Sequence, residues 1–217
     1  MRKQPVVVVP WLLVAAASLF GAEVPPPAVD IPAGASHQAV AVLAGGCFWG
    51  LEAVFEHLKG VTDVVSGYAG GAANTAHYEM VGTGRTGHAE SVQITYDPAE
   101  ISYGKLLQVF FSVAHDPTQL NRQGPDEGTQ YRSAIFYVSE DQQRVAENYV
   151  QQLTGSRAFR HPIVTRVLPL PAFYRAEEYH QDFIARNPRN AYVMYNDLPK
   201  LAQLQKRFPE LVKGISK

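Results

Sequence analysis

The chain has one cysteine, Cys47, among its 217 residues. That excludes an intramolecular disulfide and any zinc site built on paired cysteines. An excess of charge of one sign is missing too: 19 Lys and Arg stand against 20 Asp and Glu, a formal net charge of −1. No nucleic-acid partner is expected from that balance, and short basic clusters such as Lys206-Arg207 read as solvated surface. There is no internal repeat. No uncharged apolar run reaches the roughly 20 residues of a membrane-spanning helix. The nearest is Val6 to Phe20, 15 residues long. What is present is ordinary globular material, 46% hydrophobic and 18% charged, at a length that suits one domain with a real core.

The N-terminus departs from that average. Met1-Arg2-Lys3 is a basic start, the apolar run follows, and Gly21-Ala22 gives way to Glu23 and three prolines. This is the order of a secretory signal, residues 1–22. Phe20 would stand three positions before a cut after Ala22, so retention as an uncleaved anchor stays open. Residues 23–38, rich in proline, alanine and glycine, read as a linker. The folded domain, 39–217, is expected to be exported, to a bacterial periplasm. An exported protein that keeps one thiol exposes it to oxidants, which favours a chemical role for Cys47 over an inert buried one.

Within the domain, Ala39–Gly45 reads as a buried strand. Leu51, Val54, Phe55 and Leu58 lie at i, i+3, i+4 and i+7, one face of a helix that Gly60 stops. Val61–Gly71 is a strand running into a glycine loop, and Ser91–Asp97 alternates as a half-buried strand. Tyr103–Ala114 is a helix ended at His115-Asp116-Pro117. Ser133–Val138 is a strand, and Ser139 with Gln142 forms a capping box for the helix carrying Val145, Tyr149 and Leu153. Ile163–Leu168 is a last strand, Ala176–Arg186 a short helix, and the tail beyond Asn187 irregular with a helical turn near Leu201–Phe208. The order predicts an α+β fold: a two-layer sandwich with a ferredoxin-like βαββαβ core, extended by a helix, a strand and an irregular C-terminal tail.

Cys47 lies where the first strand turns into the first helix, after Gly45 and Gly46. Free N–H groups and the dipole at a helix start favour a thiolate, the reactive form. Phe48 and Trp49 are either core or the walls of an apolar pocket. Gly82, Gly84 and Gly87 spell G-x-G-x-x-G, but a strand follows them, where a dinucleotide fingerprint needs a helix. His88-Ala89-Glu90 lacks the P-C-x-x-C of zinc deaminases, so no metal site is expected. Glu90, if buried, would hold its proton near neutral pH and could act as an acid. Tyr78, Asp126 and Tyr131 sit in loops, where they could orient or stabilise a polar group.

Together, "GGCFWGLE" (45–52), "GYAGG" (67–71), "TGHAESVQITYDP" (86–98), "HDPTQLNRQGPDEGTQYRS" (115–133) and "FYRAEEYHQDF" (173–183) resemble the A-type peptide-methionine (S)-S-oxide reductases. The resemblance implies that Cys47 attacks the sulfoxide sulfur, that Phe48 and Trp49 hold the S-methyl group, and that Glu90 protonates the oxygen. It also implies that Tyr78 and Tyr131 hydrogen-bond that oxygen and that Asp126 supports them. Cys47 would become a sulfenic acid. Many relatives carry recycling cysteines; this chain has none. The resemblance therefore implies no bound cofactor, and recycling by an external thiol: a thioredoxin- or glutaredoxin-like protein, glutathione, or dithiothreitol in vitro. The implied substrate is oxidised methionine, free or in peptides and proteins, and the chain is expected to act as a monomer. Two other classes stay open: a cysteine hydrolase pairing Cys47 with His88 or His115, and a non-catalytic module that captures methionine side chains. With one thiol per chain, protein oxidised by peroxide or substrate should carry at most one sulfenic acid. Intact mass should show no two-hydrogen loss.

Overall fold

A computed structural model describes residues 23–34 and 36–214. The secretory-signal region lies outside the described residues. Among them, no helix is long and apolar enough to cross a membrane.

The chain runs β1 (Ala39–Ala44), α1 (Phe48–Glu56), β2 (Val61–Ala69), α2 (Tyr78–Val81), β3 (Ala89–Tyr96) and α3 (Tyr103–Val109), whose last turns widen into a π form over Phe110–Ala114. It continues with a two-residue hairpin, β4 (Arg122–Gln123) and β5 (Asp126–Glu127), then β6 (Ala134–Tyr137), α4 (Glu140–Ser156), β7 (Arg166–Pro169), β8 (Phe173–Arg175), α5 (Phe183–Arg186) and α6 (Leu198–Arg207). The main sheet has the order β7-β6-β1-β3-β2-β8. Its four central strands pair antiparallel, in the arrangement of a βαββαβ core, and β7 joins β6 in parallel. The expected α+β class and its ferredoxin-like core are therefore the observed ones.

Alternation in β1 separates two faces. Ala41 and Leu43 meet the apolar stripe of α1, where Leu51, Val54 and Phe55 are fully buried, as is Leu58 just past the end of the helix, which stops at Glu56 short of the expected Gly60. Val42 and Ala44 point the other way, with Ala69, Ala89, Ala134 and Phe136. The sheet must also curl. A flat six-stranded sheet would hold its edges about 24 Å apart. Pro169 at the end of β7 and Phe173 at the start of β8 are four residue steps apart, at most about 14 Å. The run of alanines fits the inside of that curve.

Several boundaries differ from expectation. The expected last strand occupies Arg166–Pro169, and β8 follows it on the opposite edge, against β2. The expected helix over Ala176–Arg186 is a single turn at Glu178–His180 and a short α5, interrupted at Asp182 with φ +50°. The side-chain amide of Gln181 is the reason. It accepts from Ser66 N–H and donates to the carbonyls of Ser66 and Ala176, which holds this stretch beside β2. The tail is not irregular after Asn187. A π turn at Val193–Asp197 leads into α6, which buries Leu204 and Phe208. Ser139 caps α4 as expected, accepting from Gln142 N–H, while the Gln142 carbonyl turns back to Val138 N–H.

Nor is the stretch read as a linker free of the domain. Extended proline-rich backbone leaves its carbonyls without local partners, and the helices supply them. Gln108 donates to Val24 O, Tyr149 to Pro25 O and Gln152 to Pro26 O. The Asp30 carboxylate accepts from Ser102 Oγ at 2.6 Å and from Gly104 N at 2.8 Å. Asp30→Ala should lower unfolding free energy by about 1–3 kcal/mol, read as an earlier urea midpoint with an unchanged slope.

Candidate active site

After β1, Gly45-Gly46 turns the chain into α1. Gly46 has φ +101°, and a Cβ there would lie 2.6 Å from Gln123 Cβ, so only glycine serves. Cys47 is the residue that caps α1. Its side chain makes no capping hydrogen bond, and the first free helix donor, Phe48 N–H, points instead to Glu90 Oε2 at 3.1 Å. Glu90 stands on β3 opposite Tyr68 of β2. Sheet pairing thus carries the carboxyl to the opening turn of the helix.

A cavity of about 310 Å³ is lined by Cys47, Phe48, Trp49, Tyr78, Glu90, Asp126, Tyr131, Asn190 and Tyr192. Every site residue expected from the sequence lies on this one surface. Two others do so as well: Asn190 and Tyr192 come from the tail, where nothing in the local pattern marked them. The Tyr192 hydroxyl donates to Asp126 Oδ2. His180, also not anticipated, accepts the Trp49 indole N–H at 3.2 Å and packs against the rings of Phe48 and Tyr78. Phe183 stacks on Trp49 with ring centroids 3.6 Å apart, and Tyr192 meets its edge. The indole is therefore fixed on two sides and by its N–H.

Burial dominates the electrostatics. Glu90 is 3% exposed, and loss of solvent pushes its carboxyl up to about 8, against the opposing Phe48 N–H and with help from Asp126. It holds its proton at neutral pH. Burial also pushes the Cys47 thiol well above its usual range, and the charges of Glu90 and Asp197 add to this. Trp49 N–H and Lys200 oppose them. A helix start contributes about 1 kcal/mol, whereas full burial of a charge moves a pKa by about 3–5 units. The expected resting thiolate is therefore replaced by a neutral thiol. The hydroxyls of Tyr78, Tyr131 and Tyr192, all raised first by burial, remain donors.

Neither candidate histidine partner reaches the thiol. His88 is held by Gly71 N–H and Ala72 O, and His115 by Phe110 O and the Ser133 hydroxyl. Neither lines the cavity, which removes the basis for a cysteine hydrolase. What does approach the thiol's helix is an ion pair. Lys200 Nζ lies 3.1 Å from Asp197 Oδ1, and both groups sit over Gly50, where a Cβ would strike them. Asp197 is 1% exposed.

A single buried thiol, a protonated carboxylic acid and tyrosine hydroxyls in one aromatic-walled cavity define a thiol-dependent reductase of a small polar group. The comparisons identify which. Residues 39–211 match the family model for peptide methionine sulfoxide reductase, and the chain belongs to that family. It is 59% identical over 171 residues to peptide methionine sulfoxide reductase MsrA 2 of Mesorhizobium japonicum, covering 79% of this chain and 88% of that one. It is 52% identical over 202 residues to MsrA 2 of a Synechocystis strain, covering 92% and 94%. Among solved structures, reduced Mxr1 of Saccharomyces cerevisiae aligns with a TM-score of 0.66 at 34% identity, over 72% of this chain and 89% of that one. Methionine sulfoxide reductase A of Corynebacterium diphtheriae aligns at 0.60 and 36%, over 71% and 77%. The enzyme is a peptide methionine sulfoxide reductase.

The ion pair makes an asymmetric prediction. Lys200→Met should move the pH profile of Cys47 alkylation by iodoacetamide up by about one unit, and Asp197→Asn should move it down by a similar amount. A purely structural pair would shift both variants the same way.

Proposed function

We propose that this enzyme reduces the S epimer of methionine sulfoxide, free or in polypeptides, through a sulfenic acid on Cys47 that an external thiol removes. The observation that carries this reading is that the Cys47 sulfur and the protonated Glu90 carboxyl line the same small cavity. A sulfoxide resists substitution because its oxygen leaves as an anion. Glu90 gives that oxygen a proton as the Cys47 sulfur bonds to the substrate sulfur. The Glu90 carboxylate so formed takes the thiol proton, so Cys47 need not be ionised beforehand. The substrate S–O bond and the new S–S bond then break as the hydroxyl passes to the Cys47 sulfur, which is oxidised by two electrons to the sulfenic acid, while the substrate sulfur is reduced and methionine leaves as a thioether. Phe48 and Trp49 receive the S-methyl group, while Tyr78 and Tyr131 donate to the oxygen and Asp126, bonded to Tyr192, supports them.

One thiol then displaces water from the sulfenic acid to give a mixed disulfide, and a second releases Cys47. A thioredoxin- or glutaredoxin-like protein, or glutathione, would supply both, since this chain has no second cysteine. The basic and apolar N-terminus supports action on exported proteins in a periplasm.

Each epimer of a blocked methionine sulfoxide, assayed with dithiothreitol, tests the reading. Only the S epimer should be consumed, and Cys47→Ser should consume neither. Glu90→Gln should lose about a hundredfold or more in kcat. Because burial raises the Glu90 pKa, its proton is present below about pH 8 and lost above, so wild-type kcat/KM should fall on that alkaline side. Equal use of both epimers, or turnover by Cys47→Ser, would refute the mechanism.

A further inference from the structure

The glycine-rich stretch Gly82–Gly87 has no part in the reaction above, yet it borders a second cavity, of about 660 Å³, at the end of the curled sheet where β2 finishes and β3 begins. Three arginines line it: Arg85 from that loop, Arg132 from the residue after Tyr131, and Arg166 from the start of β7. No Asp or Glu lines it. Among the described residues, no ion pair engages any of the three guanidinium groups, although nearby Arg122 pairs with Glu127.

Arg132 is held rigidly. Its Nη1 donates to the carbonyls of His88 and Thr129, and its Nη2 to Gly87 O. Its Nε–H is buried without a partner. Burial, and the like charge of Arg166, hold its guanidinium below the usual arginine range, where it still keeps its charge. Gathering three cations without a counter-charge opposes folding, and the chain's near-zero net charge makes the cluster local. Phe136 and Leu168, from the inner face of the curl, form an apolar wall beside the arginines. A concave site of several hundred Å³ with one apolar wall and converging charged groups has the form of a small-molecule site. Guanidinium forks match carboxylate and phosphate oxygens in geometry as well as charge.

We propose that this cavity is a second site that binds a small anionic ligand through its carboxylate or phosphate oxygens. Arg85 and Arg166 supply exposed charge, and Arg132 the fixed anchor. The proposal does not depend on the sulfoxide mechanism, because none of these residues lines the thiol cavity.

Calorimetric titration of the full chain with citrate and, separately, with inorganic phosphate tests it, with ionic strength held constant by sodium chloride. Saturable one-to-one binding of at least one anion is expected. Citrate alone would assign the site to carboxylates and phosphate alone to phosphoryl groups. Arg166→Ala should weaken binding about tenfold, and adding Arg85→Ala should weaken it further by about the same factor. Neither side chain has an ion-pair or hydrogen-bond partner among the described residues, so the fold does not rest on them. No saturable heat beyond chloride, or a double variant that binds as tightly as the wild type, would overturn the proposal.

Discussion

The Glu90 carboxyl sits out of water, against the first N–H of the helix that carries the thiol. One backbone donor is too little to keep a carboxylate charged there, so the group stays an acid at neutral pH. The same dryness keeps the Cys47 sulfur neutral. Two acidic groups can share a small cavity only because neither is ionised at rest. In the proposed reaction, a sulfoxide oxygen that enters meets a donor with its proton in place, and the proton count closes within the pair.

Around this pair the fold provides rigidity. Cys47 is tied to the β1–α1 turn, Glu90 to the centre of the sheet, and Trp49 to a cage of Phe183, Tyr192 and His180. The tail closes the site from outside the βαββαβ core. It brings Tyr192 to Asp126 and lays the Asp197–Lys200 pair over Gly50. At the other terminus, the proline-rich segment completes the backs of α3 and α4. Both segments are weakly patterned in sequence. They are ordered by partners far along the chain.

Curling of the sheet has a separate consequence. Bringing β7 and β8 within a three-residue connection leaves a concave face lined with alanine and an open end beside the glycine loop. Tyr131 and Arg132, neighbours in sequence, serve different cavities as a result. One faces the thiol, and the other stands among unpaired arginines.

Local pattern was enough for much of this architecture. Period-two alternation and the i, i+3, i+4, i+7 stripe of α1 depend on which side chains avoid water, and that is written residue by residue. So β1, α1, β3, β6 and α4 were legible, as was the placing of Cys47 at a helix start. The gathering of the seven expected residues around one cavity was legible through the family resemblance, with the strand-to-helix position of Cys47 written in the local pattern. Tyr192, Asn190, His180 and the Asp197–Lys200 pair were not, because their roles exist only once a tail folds back across α1. The charge state of the thiol was hidden for the same reason. Sequence position predicts a helix dipole, which is local and small. Burial and neighbouring carboxyls come from β3 and the turn that leads into α6, and only the tertiary structure decides how much water they exclude.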